Sequence, residues 1–203
     1  MIKVGFDARW YTTSGVGMYV ANLLESMGNL EDDDFEIVVY EFADNPVPVV
    51  SKRIRKQIVK GGKYSLAGQL ELARRCRIDR LDLFHAPFYI VPIAAPCPVV
   101  CTIHDLIAFL FPIYNPVHQS IVKLGYRVAV RKAHRIISVS DTTKRDLELI
   151  LSVPPPKDNS YLQRLLSIDI SRDCRTGRAG VSPTTLWHRR RICPDSKRRQ
   201  LAD

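Results

Sequence analysis

The sequence predicts a doubly wound α/β domain built on a mostly parallel sheet, and three observations carry that prediction. Short apolar runs rich in β-branched residues alternate with longer amphipathic runs from Met1 to about Leu151. Such alternation is the pattern of βαβ units joined by right-handed crossovers. The residues just after the apolar runs are polar or glycine-rich, where ligands meet the carboxyl ends of parallel strands. A chain of 203 residues, 46% hydrophobic and 25% charged, is long enough to bury one substantial core.

Taken in order, strands are predicted at Ile2 to Phe6, Glu36 to Tyr40, Leu83 to His85, Val99 to Ile103 and Ile136 to Val139. Each is a short apolar run bounded by charged or proline-containing sequence. Helices are predicted at Val16 to Met27, around Val50 to Lys60, and at Leu66 to Arg77, Val117 to Ala133 and Thr142 to Leu151. The last is expected to be capped by Ser140 or Asp141. In "VVSKRIRKQIVKGGKY", Val50, Ile54 and Ile58 recur at i, i+4 while Arg53, Lys56, Lys60 and Lys63 fall elsewhere. That spacing predicts a short basic amphipathic helix, and Lys123, Arg127, Arg131 and Arg135 form a second basic stripe. A solvated helix face and a contact with an anionic membrane both account for stripes of this kind.

Composition removes several function classes. The five cysteines are odd in number and show no CxxC spacing, and "MIKVGFDAR" lacks the basic and long apolar regions of a secretory signal. The expectation is a reduced, cytoplasmic protein, resting at most peripherally on the inner face of the membrane. The longest apolar stretches are broken by proline or fall short of the roughly 20 residues of a membrane span. Net charge is +9, but up to Pro156 there are 19 basic and 16 acidic residues, against 11 and 5 beyond it. The excess therefore sits in the tail, where aromatic interleaving is nearly absent, so nucleic acid is not the expected partner.

Four loops converge on one edge of the predicted sheet. They carry Asp7, Arg9 and the Gly15–Val16–Gly17 stretch after the first strand, "HAP" from His85, "HDL" from His104, and "SVSD" ending at Asp141. "SGVGMY" is not a dinucleotide fingerprint, because about eight residues separate Phe6 from Gly15 and the third glycine position is Val20. No Walker loop is present either. What remains is a loop that brings two glycine backbones to a helix N-terminus, which favours an anion. A tight turn that needs glycine accounts for the pair equally well. His104 and Asp105 suit a catalytic edge or simple capping of the next segment. His85 suits acceptor contact or a buried bond to a backbone carbonyl. Asp7 and Arg9 read as an exposed local ion pair worth about 0–1 kcal/mol. His118, His134 and the cysteines lack paired ligand spacing, so no metal is expected.

"VGFDARWYTTSGVGMYVANLL", "LFHAP", "VVCTIHDLIAFLFP" and "RIISVSDTTKRDL", in this order and spacing, resemble the amino-terminal domain of family 4 glycosyltransferases of the GT-B fold. The resemblance implies an acceptor-side domain whose partner domain binds most of a nucleotide-sugar donor, with transfer to a glycan or lipid-linked acceptor and retention of configuration. By that resemblance Gly15, Val16, Gly17 and Tyr19 approach the donor diphosphate, His104 with Asp105 faces the transferred sugar, and Asp7, Arg9 and His85 lie on the acceptor side. Gly17→Val is then expected to cut transfer strongly while leaving the fold intact. No cofactor beyond the nucleotide-sugar co-substrate is implied, since backbone dipoles and basic side chains stabilise the leaving phosphate. Relatives acting on lipid-linked acceptors rest such domains on anionic membranes, which is the role implied for Arg53, Lys56, Lys60 and Lys63.

The expected boundaries are a glycosyltransferase-like domain over 1–153 and a basic, disordered tail over 154–203. That tail contains no glutamate, carries "HRRR" and "KRRQ", and shows no second βαβ unit. The expectation is a truncated, shifted-frame product that is inactive alone. A small nucleotide-binding α/β protein of another class and a non-catalytic binding module with a basic tail are the competing readings.

Overall fold

The computed structural model describes residues 1–30, 34–49, 51–154 and 165–167. The chain runs through β1 (Ile2–Asp7), a 3-10 turn (Ala8–Trp10), α1 (Ser14–Gly28), β2 (Phe35–Glu41), β3 (Ile54–Ile58), α2 (Leu66–Ile78) and β4 (Leu83–Ala86). It continues through β5 (Val99–Ile103), α3 (Ile107–Leu110), α4 (Pro116–Lys132), β6 (Arg135–Ser138), α5 (Asp141–Leu151) and the three-residue β7 (Leu165–Ser167). The strands lie in the order β3-β2-β1-β4-β5-β6-β7, and every pairing is parallel.

Apolar residues alternate between two cores, one on each face of the sheet. Ile37 and Val39 of β2 pack with Val20, Leu23, Leu24 and Met27 of α1, whereas Val38 and Tyr40 pack with Leu72 and Cys76 of α2. Burial on both faces is why these strands read as continuous apolar runs, and it makes the fold doubly wound. The helices start where the sequence offers caps. Ser65 Oγ accepts from the Gly68 amide at 3.0 Å, Asn115 Oδ1 from the His118 amide at 2.9 Å ahead of Pro116, and Ser140 Oγ from the Thr143 amide at 3.1 Å.

One element differs in kind from its prediction. Residues 54–58 form the edge strand β3, not a basic helix. The spacing of Val50, Ile54 and Ile58 is a multiple of two as well as nearly one helical turn, so it fits a strand equally well. Charges along β3 then act as edge protection. Arg55 bonds Glu36 Oε1 and Asp79 Oδ1, both at 2.9 Å. The four cations assigned to one helical face do not share a face. Arg53 is buried with its guanidinium 5.6 Å from the Phe35 ring centre, Lys56 Nζ donates to the Val47 carbonyl, and Lys63 Nζ donates to Thr13 Oγ1. Only Lys60 of the four is exposed. The predicted disordered tail lies outside the described residues, apart from Pro154 and β7.

Candidate functional site

Strand order reverses between β1 and β4, and a crevice at their carboxyl ends is where open parallel sheets take ligands. Asp7 ends β1 and Ala86 ends β4, with the His104 loop following β5 and Ser140 following β6, so the four predicted loops do share this edge.

At its centre is Thr102 of β5, a polar residue inside the apolar run "VVCTI". Its Oγ1 lies 3.0 Å from Tyr19 Oη and 2.9 Å from His85 Nε2. One satisfied arrangement has Tyr19 donating to Thr102 and Thr102 donating to a neutral His85. Burial, with a smaller contribution from His104, pushes the His85 imidazole down to about 3, and burial pushes the Tyr19 phenol up to about 12. Both groups are therefore uncharged near neutrality. His85 also packs edge-on to Phe6, with ring centres 4.9 Å apart.

His104 is half-buried and lies edge-on to Tyr19, with ring centres 5.2 Å apart. Its Nε2 donates to the Pro87 carbonyl at 2.8 Å, which leaves Nδ1 with no hydrogen bond among the described residues. Burial lowers its basicity against the opposing pull of that bond. Thr143 Oγ1 donates to the His104 carbonyl at 2.9 Å and so ties the loop to α5. Asp105 is exposed and accepts from the Ile107 amide at 3.0 Å, which is the capping role.

The glycines are not in a loop. Gly15 and Gly17 lie in the first turn of α1, and they do different things. A Cβ on Gly15 would have nothing within 4 Å, whereas one on Gly17 would run into the Tyr11 carbonyl oxygen and stand 2.8 Å from its carbon. Gly17 is therefore required for the 3-10 turn to pass close beneath α1, and Gly17→Val would disturb the fold, contrary to expectation. Thr13, at the N-cap, makes no side-chain capping bond, and its Oγ1 accepts from Lys63 Nζ at 3.0 Å. The opening amides of α1 are left to attract an anion. Val16 is half-buried beside them, within the core cluster that α1 shares with β1 and β2.

Asp7 and Arg9 also differ from expectation. They form a two-point ion pair, Nε to Oδ1 and Nη2 to Oδ2 at 2.8 Å each, with both side chains 0% exposed. Arg9 Nη1 and the neighbouring Trp10 Nε1 are buried without hydrogen-bond partners in the described structure. Local sequence does not reveal that the 3-10 turn folds inward, where the Arg9 guanidinium lies 5.8 Å from the Phe42 ring centre and beside Gly68 of α2. Sequence reasoning also missed Thr102 and Thr143. The first had one visible signal, a lone hydroxyl within an apolar strand; Thr143 had none.

Among the described residues no group of three or more His, Cys, Asp or Glu side chains is placed to hold a metal ion. No described helix is long and apolar enough to cross a membrane.

The domain is a Rossmann-like α/β fold with polar side chains gathered at its switch point. The family model described as Glycosyltransferase Family 4 matches residues 13–157, and the chain belongs to that family. No curated protein sequence matches it.

Proposed function

We propose that this domain forms the acceptor-side wall of a cleft in which a sugar passes, with retention, from a nucleotide-sugar to a glycan or lipid-linked acceptor. The observation that carries the reading is the meeting, at one switch point, of an open helix N-terminus with a neutral histidine network. In this reading the donor diphosphate approaches the first turn of α1 at Gly15 and Val16, with Tyr19 behind it, while the Gly17 amide is already held by the Thr13 carbonyl at 2.7 Å. The charge developing on the leaving phosphate is met by backbone amides and the helix dipole. His104 offers its unpaired Nδ1 as acceptor for a sugar hydroxyl, with Asp105 shaping its loop. His85, held neutral, stabilises the acceptor wall through Thr102. Asp7 and Arg9 are too deeply buried to touch substrate as placed, and they fix the turn that carries Trp10. Most donor contacts belong to a second domain, so this domain by itself transfers no sugar, and the assembled site works in the cytoplasm beside its acceptor.

The test is calorimetry with UDP- and GDP-sugars, with and without a family donor domain supplied in trans, followed by turnover assays of the pair. Weak or no donor binding alone, gain with the complement, and loss of turnover in His104→Ala and Gly15→Val are expected. Equal turnover in wild type and both variants removes this edge from the reaction.

A further inference from the structure

The crevice lies at the carboxyl ends of the strands, and two cysteines meet at the opposite edge. Cys76 lies in the last turn of α2, and its carbonyl accepts from the Leu81 amide at 3.0 Å as the chain turns toward β4. Cys97 stands just before β5, next to Pro98, whose carbonyl accepts from the Phe84 amide of β4 at 2.9 Å. The end of α2 and the start of β5 are thus both tied to the start of β4. Inside the core on that face the two thiols share a hydrogen bond, and neither is in a disulfide.

A buried cysteine by itself is only a small apolar side chain. Contact and unequal surroundings set this pair apart. Cys76 is 1% exposed and has Asp79 nearby, whereas Cys97 is 6% exposed and has Lys132 nearby, whose Nζ donates to the Ala95 carbonyl at 3.3 Å. The bond from Cys76, helped by Lys132, holds the Cys97 thiol below its usual range against burial and Asp82. The same bond, with burial and Asp79, holds the Cys76 thiol above it. Cys101 is the contrast: it is fully buried, its Sγ donates to the Phe88 carbonyl at 3.4 Å, and burial pushes its thiol up.

We propose that Cys76 and Cys97 are a peroxide-reactive dithiol that closes reversibly to a disulfide between the end of α2 and the start of β5. Hydrogen peroxide is the oxidant, small enough to reach a side chain as covered as Cys97. The Cys97 thiolate attacks one peroxide oxygen, the O–O bond breaks, and the departing hydroxide takes up the proton Cys97 had shed, leaving a sulfenic acid and water. The Cys76 sulfur then attacks the Cys97 sulfur, the S–O bond breaks, and the oxygen leaves as a second water with the Cys76 proton. Two thiols lose two electrons, and one peroxide gains them. The closed loop contains β4, which carries His85, and Pro87, whose carbonyl holds His104. Oxidation at one edge of the sheet therefore tightens the strand that serves the other. The dithiol is independent of the sugar-transfer reading.

The experiment uses the full chain carrying Cys174→Ser and Cys193→Ser, which leaves three cysteines. After one equivalent of hydrogen peroxide, thiol titration in denaturant should find one thiol where the untreated chain has three. The intact mass should fall by two hydrogens, peptide mapping should join residue 76 to residue 97, and dithiothreitol should reverse all of this. Closing a loop of this length should shift the unfolding equilibrium in urea toward the folded state by about 100-fold. Adding Cys101→Ser should leave the cross-link unchanged, and Cys76→Ala should let dimedone trap Cys97 as its sulfenic acid. Mapping in the parent chain decides the matter even if Cys76→Ala does not fold. Three surviving thiols, a cross-link to Cys101 or between chains, or an oxidised chain no more stable than the reduced one would overturn the proposal.

Discussion

Adding a single methyl group at Gly17 pushes a carbon into the backbone of Tyr11, and the cost can be worked from the geometry. The new Cβ would stand 2.8 Å from the Tyr11 carbonyl carbon and 3.3 Å from the Trp10 carbonyl oxygen. Carbon atoms ordinarily approach to about 3.5–4.0 Å, so the 3-10 turn and α1 must separate by at least about 0.7 Å. Every atom in the way is main chain, so no flexible side chain can swing aside. Overpacking of this kind costs about 1–3 kcal/mol or more, beyond the roughly 1 kcal/mol that alanine gains over glycine in a helix. We expect Gly17→Ala to lose about 2 kcal/mol net, lowering the melting temperature by about 4–8 °C. Gly15→Ala, with nothing within 4 Å, should be neutral or stabilised by up to about 1 kcal/mol. Urea unfolding followed by far-UV circular dichroism reads both. Equal stability of the two variants would refute the close approach assigned to Gly17, and only then would loss of transfer in Gly17→Val report on a phosphate.

Breaking the buried pair by Asp7→Asn or Arg9→Met should cost about 3–5 kcal/mol, because the remaining charge is left buried without its partner. Urea unfolding that shows a loss below about 1 kcal/mol would return the pair to a surface role. His85 binds its proton more weakly folded than unfolded, so its contribution to stability is complete above about 6.5 and is lost as pH falls toward about 3. Its slope reaches about 1.4 kcal/mol per pH unit. The pH dependence of unfolding should be shallower in His85→Gln by that amount, and identical slopes in the two proteins would show that His85 is not desolvated.

The strands were legible because burial on both faces leaves no alternation to misread, as in "VVCTI" of β5, predicted and observed over the same residues. Start signals were legible where a side chain does the capping, as at Ser140. Residues 54–58 were misread because their apolar spacing serves both periods, and only pairing with β2 decides between them. The candidate site was legible as a set of loops but not as a set of bonds. Tyr19 and Thr102 are 83 positions apart, and nothing local in either segment announces the other. Asp7 and Arg9 show the same limit: their proximity in sequence predicted the ion pair, while its burial depends on a turn whose direction is set by Gly17 and by what lies over it.

The Thr13 hydroxyl accepts from the ammonium of Lys63, fifty positions further along the chain. The connection between β3 and α2 therefore sets a positive charge against the N-terminus of α1, where it adds to the helix dipole's attraction for an anion.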